Sequence, residues 1–167
     1  SNNTAVGYNS LGLNTTGTLN TAIGQNAGAS ITTGIRNTTV GAASLDAEVA
    51  GNYSTAMGYG ALSVQSNASG TDVYNTAFGY LAGAAVTSGT QNTLIGGLAG
   101  DAITTGVSNT AVGKSALAAN TTGANNVAVG SLALDANTTA SDNTAVGYAS
   151  LSANTTGTNL VGLGNSA

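Results

Sequence analysis

The chain has 167 residues and a formal net charge of −4, and only 5% of its residues are charged, against about a quarter in ordinary globular domains. It contains no His and no Cys, so the commonest general base, the thiol nucleophile and the usual transition-metal ligands are missing. Arg36 and Lys114 are the only basic residues, too few for a nucleic-acid-binding surface, and no apolar run reaches the roughly 18–20 residues of a membrane span.

The string Asn-Thr-Ala-Val-Gly at residues 3–7 begins a repeat that runs along the whole chain. Copies start near residues 3, 20, 37, 54, 75, 92, 109, 126, 143 and 160. Successive starts are 17 residues apart, except that the step from 54 to 75 is 21, which indicates a four-residue insertion near Gln65–Asp72. Self-similarity at a fixed short period is typical of solenoids. We therefore predict one repeat domain over residues 1–167.

Within each 17-residue repeat, here called a coil, positions are numbered from the first residue of this string. Position five is Gly in all ten coils, which predicts a bend that needs a positive φ or a close backbone approach. Position four is always a larger apolar residue, such as Val6 or Phe78, and Thr-Thr-Gly usually marks a second turn, as at 15–17. These short Thr/Val-rich segments between turns favour strands over helices.

Positions nine and twelve vary together. Leu at position nine accompanies Asn at position twelve, as in Leu117 and Asn120, whereas Gly at position nine accompanies a branched apolar residue, as in Gly100 and Ile103. Interiors packed at near-crystalline density require such an exchange when one large side chain fills one space. The covariation therefore predicts that both positions face a shared interior.

These features predict an all-β fold, a parallel β-solenoid (a β-roll) of about ten coils. Coils stacked about 4.8 Å apart would form a rod roughly 48 Å long. The position-one residues would then form an Asn ladder that hydrogen-bonds coil to coil. Its members are Asn3, Asn20, Asn37, Asn75, Asn92, Asn109, Asn126 and Asn143.

In the Thr-Ala-Val strand, positions two and four share one face and position three, mostly Ala, occupies the other. Because position four holds the larger residues, we expect positions two and four to face the interior. The Ala column would then lie outside and pack against a neighbouring chain. Simple exposure of the Ala residues is the alternative.

No combination of residues predicts catalytic, cofactor-binding or metal-binding chemistry. Asp46 and Glu48 lie in one loop and could contact a calcium ion, but a solvated loop is the preferred interpretation. The Gly-rich stretches lack the Lys-Ser/Thr of a phosphate loop. Four tyrosines share position six, where an exposed aromatic column could contact glycans or, as we prefer, cover a corner or pack between chains. They are Tyr8, Tyr59, Tyr80 and Tyr148.

The recurring pattern NTAVGYxSLxANTTG resembles the head repeats of trimeric autotransporter adhesins, whose motif pairs a small-apolar strand ending in Ile-Gly with a later Ser or Ala and a closing Gly. It is also similar to repeats of phage tail fibres. The likeness covers essentially residues 3–167 and implies a left-handed β-roll in a homotrimeric fibre. Repeats of 14 or 15 residues in the adhesins, against 17 here, are the main departure.

The expected function is a non-enzymatic structural shaft or adhesive module of an extracellular fibre, on a bacterial surface or a virion tail. Because the repeat pattern reaches both ends of the sequence, end-to-end neighbours are expected as partners besides the homotrimer. Two alternatives remain: glycan or receptor binding through the position-six tyrosines, and ice binding through Thr ladders at positions two and thirteen. An inward-facing position two would weaken the ice-binding alternative.

Overall fold

The structure, a computed structural model, describes residues 2–167. Its regular structure consists of ten three-residue strands. They are β1 (Thr4–Val6), β2 (Thr21–Ile23), β3 (Thr38–Val40), β4 (Thr55–Met57), β5 (Thr76–Phe78), β6 (Thr93–Ile95), β7 (Thr110–Val112), β8 (Val127–Val129), β9 (Thr144–Val146) and β10 (Val161–Leu163). All ten form a single sheet in sequence order, and every neighbouring pair is parallel. The predicted all-β parallel solenoid of 17-residue coils is confirmed.

Equivalent positions pair directly between coils, as in Thr93↔Thr110. The longer fourth coil keeps this register, because β4 still pairs with β5 through Thr55↔Thr76. Its extra residues leave the rod as an exposed bulge at 68–70, closed below by a parallel bridge between Asn52 and Asp72. Between residues 2 and 167 the chain forms no helix that could cross a membrane.

The bend after each strand depends on the position-five glycine. In Gly96 φ is +134°, and an added Cβ would lie 2.5 Å from the carbonyl oxygen of Gly113 in the next coil. Position nine is also left-handed, at +57° in Gly100 and +56° in Leu117. Since the left-handed conformation costs an L-residue about 1–2 kcal/mol, Leu at this position must gain more from packing than it loses in strain.

The sidedness expected for the strands is wrong. Position three faces the interior: Ala22, Ala77 and Ala111 are fully buried within the single chain. Positions two and four face outward, and Phe78 is 53% exposed. The Ala column therefore cannot be the contact with a neighbouring chain.

The reason for the inversion is the narrowness of the coil. The opposite wall sends Leu and Ile side chains from positions nine and twelve across the interior, and Leu117, Leu134 and Ile103 are fully buried. This leaves room for only a methyl group beneath most strands. Side-chain size alone was a poor guide to which face is buried.

The exchange between positions nine and twelve is confirmed in the interior. A Cβ added to Gly100 would lie 2.8 Å from the Cδ1 atom of Ile103 and 2.7 Å from the Cδ2 atom of Leu94. Leu94, the one large residue at position three, thus uses space that Gly83 and Gly100 leave free. One core cluster, rather than one position, conserves its volume.

Candidate ligand-binding surface

The Asn ladder fixes the strand face from behind. Asn92 accepts a hydrogen bond at Oδ1 from the backbone amide of Asn109 at 3.0 Å, and its Nδ2 donates to the carbonyl of Gly106 at 2.9 Å. Asn20 makes the equivalent bonds to Asn37 and Gly34 at 2.9 and 2.8 Å. Each buried amide side chain therefore joins its own coil to the next, which confirms the predicted ladder.

Two outward columns make up the strand face, which is defined here as positions two and four of all ten coils. Position two is Thr in eight of ten coils, and position four is apolar throughout. Six position-four side chains are exposed: Val6, Ile23, Phe78, Ile95, Val146 and Leu163. An unbroken apolar column of this length is unusual on a protein that stays monomeric in water.

The position-six tyrosines lie beside this face but do not form a continuous column. Tyr59 and Tyr80 stack on each other with centroids 5.8 Å apart and planes 14° apart. Tyr8 and Tyr148 belong to coils one and nine, so each stands alone in its part of the rod. All four rings are exposed. The structure therefore joins two of the four predicted residues.

A second aromatic stack lies at position seventeen, at the other edge of the strand face. Tyr53 and Tyr74 stack with centroids 5.1 Å apart and planes 10° apart. Arg36 continues this column, with its guanidinium 5.5 Å from the Tyr53 ring centroid and its Nη1 donating to the Tyr53 hydroxyl at 2.8 Å. Sequence reasoning missed this stack, although the shared position seventeen of the three residues was available as a signal.

Glu48 does not lie in a solvated loop, and that interpretation is wrong. Its side chain is fully buried. Oε1 accepts hydrogen bonds from the backbone amides of Val49, Ala50, Gly51 and Asn67 at 2.7–3.1 Å. Oε2 accepts from the side-chain amides of Gln65 and Asn67 at 2.8 and 3.0 Å. This carboxylate therefore anchors the start of the four-residue insertion, and its acceptor sites are already taken.

Asp46 occupies position ten, two residues before Glu48, and faces partly outward. Burial raises the pKa of its carboxyl above the ordinary value, as it does for Asp101 at the same position of coil six. In the part of the chain that the structure describes, no three His, Cys, Asp or Glu side chains come together to hold a metal ion. The acidic residues thus serve as isolated groups.

The surface of residues 2–167 contains no enclosed pocket. Any ligand must therefore bind on an open surface, where aromatic rings, the apolar column and the two cations are the chemically distinctive groups. No protein-family model, curated protein or solved structure matches this chain.

Proposed function

We propose that the chain is a non-catalytic shaft module of an extracellular fibre, in which three copies pack side by side through their strand faces. The observation that carries this proposal is the exposed position-four column, which runs through all ten coils. Identical solenoids share one rung spacing of about 4.8 Å. A second copy can therefore match this column rung for rung, which an unrelated globular partner cannot do.

The internal construction suits a load-bearing shaft. Coil-to-coil hydrogen bonds are not confined to the strands: the backbone amide of Leu117 donates to the carbonyl of Ala133 at 2.9 Å, and that of Thr121 to Thr138 at 2.7 Å. Because each coil repeats the contacts of the last, added coils lengthen the rod without a new core. This favours a spacer that holds a receptor-binding region away from a surface.

Sedimentation equilibrium tests the proposal. The wild-type chain should sediment at about three times its mass of 15.9 kDa, and replacing both Phe78 and Ile95 by Asp should yield monomers. Since both side chains are exposed, the β-sheet circular dichroism of the monomer should be unchanged. Thr105→Asp, on an exposed turn away from the strand face, is the matched control and should remain trimeric. A wild-type chain that is monomeric at every concentration contradicts the proposal.

Ice binding is the second candidate, because the corrected orientation favours it. The hydroxyls of Thr76, Thr93 and Thr110 lie on the outer face at a spacing of about 4.8 Å. Position-thirteen hydroxyls are less suitable, since Thr104 and Thr121 donate theirs to carbonyls of the next coil at 3.1 Å. Trimer formation would cover the strand face, so thermal hysteresis by a monomeric wild-type chain would favour this candidate, and its absence would remove it.

A further inference from the structure

We propose that Tyr80, Gly97 and Lys114 form a shallow slot that binds the ring of an acidic sugar residue. The three residues occupy position six of coils five, six and seven. Equivalent positions lie about 4.8 Å apart, so Tyr80 and Lys114 stand at the two ends of a gap of about 9.6 Å whose floor is Gly97. Position six turns outward beside the strand face, and both Tyr80 and Lys114 are exposed.

One face of the Tyr80 ring is free. Its other face is covered by Tyr59, with 14° between the two planes. The free face is directed along the rod towards coil six, where Gly97 contributes no side chain. A Cβ built on Gly97 would meet no atom within 4 Å. The space in which a third ring would continue the stack is therefore open to solvent.

The slot has the dimensions of one sugar ring. Carbon atoms in van der Waals contact lie about 3.5–4.0 Å apart, so a pyranose seated on Tyr80 would lie above Gly97. Its substituents would then be within reach of the flexible Lys114 ammonium from the far side. The tyrosine hydroxyl and the ammonium are both hydrogen-bond donors to such substituents.

The chemistry of these groups favours an acidic sugar over other ligands. A pyranose offers an apolar C–H face to an aromatic ring and keeps its hydroxyls in water, which suits a ring that is 57% exposed and a surface without a pocket. Lys114 supplies one positive charge, and the neighbouring position-seven residues are uncharged: Leu81, Leu98 and Ser115. A single cation on a chain of net charge −4 fits one carboxylate better than a polyanion.

The proposal does not depend on trimer formation, because all three residues belong to one chain. Binding is measured by ¹⁵N–¹H correlation spectra of the whole chain during titration with trigalacturonic acid and with 3′-sialyllactose. Maltotriose and lactose are the neutral counterparts. We expect the amide signals of Tyr80, Gly97 and Lys114 to shift with at least one acidic sugar, and to shift at least tenfold less with its neutral counterpart at equal concentration. The acidic sugar that acts identifies the carboxylate as a uronate or a sialate.

Gly97→Tyr fills the slot with a third stacked ring and should abolish the response. The fold should tolerate it, because the space is open and the φ of Gly97 lies outside the left-handed region. Lys114→Gln should weaken binding about two- to fivefold, the effect of one exposed ion pair, and added salt should weaken wild-type binding similarly. Gln25→Tyr, which adds the same ring at position six of coil two, should change nothing. An unchanged response in Gly97→Tyr, an equal response to neutral sugars, or no response to either acidic sugar overturns the proposal.

Discussion

The side-chain oxygen of Asn92 lies 3.0 Å from the backbone nitrogen of Asn109, one coil further along the rod. The same side chain donates to the carbonyl of Gly106, and all three residues are buried. The strand face is therefore held in place by buried amides rather than by large apolar side chains beneath it. Four experiments follow from this internal construction.

Asn92→Ala should lower the free energy of unfolding by about 2–4 kcal/mol. It leaves the amide of Asn109 and the carbonyl of Gly106 buried without these partners, and an unsatisfied buried group costs about 1–3 kcal/mol. Urea unfolding measures the difference. Thr105→Ala, an exposed substitution one coil away that breaks no side-chain hydrogen bond, should stay within about 0.5 kcal/mol of wild type. Similar losses in the two variants would show that the ladder is dispensable.

The adjacent glycines Gly96 and Gly97 should respond oppositely to the same substitution. Gly96→Ala places a methyl group 2.5 Å from the Gly113 carbonyl oxygen at a φ of +134°, so it should cost more than about 3 kcal/mol or prevent folding. Gly97→Ala meets open space and should leave stability unchanged or raise it by up to about 1 kcal/mol. Melting temperatures of the two variants decide the matter, and equal melting temperatures would contradict the assigned bend.

Glu48→Ala should cost at least about 3 kcal/mol, because four backbone amides and two side-chain amides lose their shared acceptor. Hydrogen exchange should quicken first at the amides of Gly51 and Asn67. Asp142→Asn removes a carboxylate from an exposed site and should change stability by less than about 0.5 kcal/mol. Retained protection of Gly51 in Glu48→Ala would rule out the anchoring role.

Asp101→Ala should stabilise the chain at neutral pH relative to its effect in acid. Burial raises the pKa of Asp101 above its ordinary value of 3.8, and its Oδ1 is buried without a hydrogen-bond partner. The folded chain thus holds this proton more tightly than the unfolded chain, so ionisation opposes folding. The penalty is absent below pH 3.8 and develops as the pH rises through the raised pKa.

The measurement is the difference in urea midpoint between Asp101→Ala and wild type at about pH 3 and about pH 7. The variant should gain stability relative to wild type between these two values. Ala already occupies position ten in coils two, five and seven, at Ala29, Ala84 and Ala118. Ser152→Ala, an uncharged change at the same position, should show no pH-dependent difference. A pH-independent effect of Asp101→Ala would exclude the proposed cause.

The sequence by itself determined the periodic part of the structure. A Gly that recurs every 17 residues, an Asn five residues before the Tyr of position six, and the Leu117/Asn120 against Gly100/Ile103 exchange are properties of coils stacked in one register. Stacking multiplies each local preference by ten, so coil length, strand position, the Asn ladder and the insertion were predicted correctly.

Only the tertiary structure decided which side of each strand is inside. Alternation distinguishes the two faces of a strand but does not say which one is buried. That depends on how far Leu117 and Ile103 reach across the coil from the opposite wall. The same distance buries Ala111, turns Val112 outward and sets Tyr80 beside the open space over Gly97. The width of the interior, which no single repeat specifies, therefore determines what the surface offers to a partner.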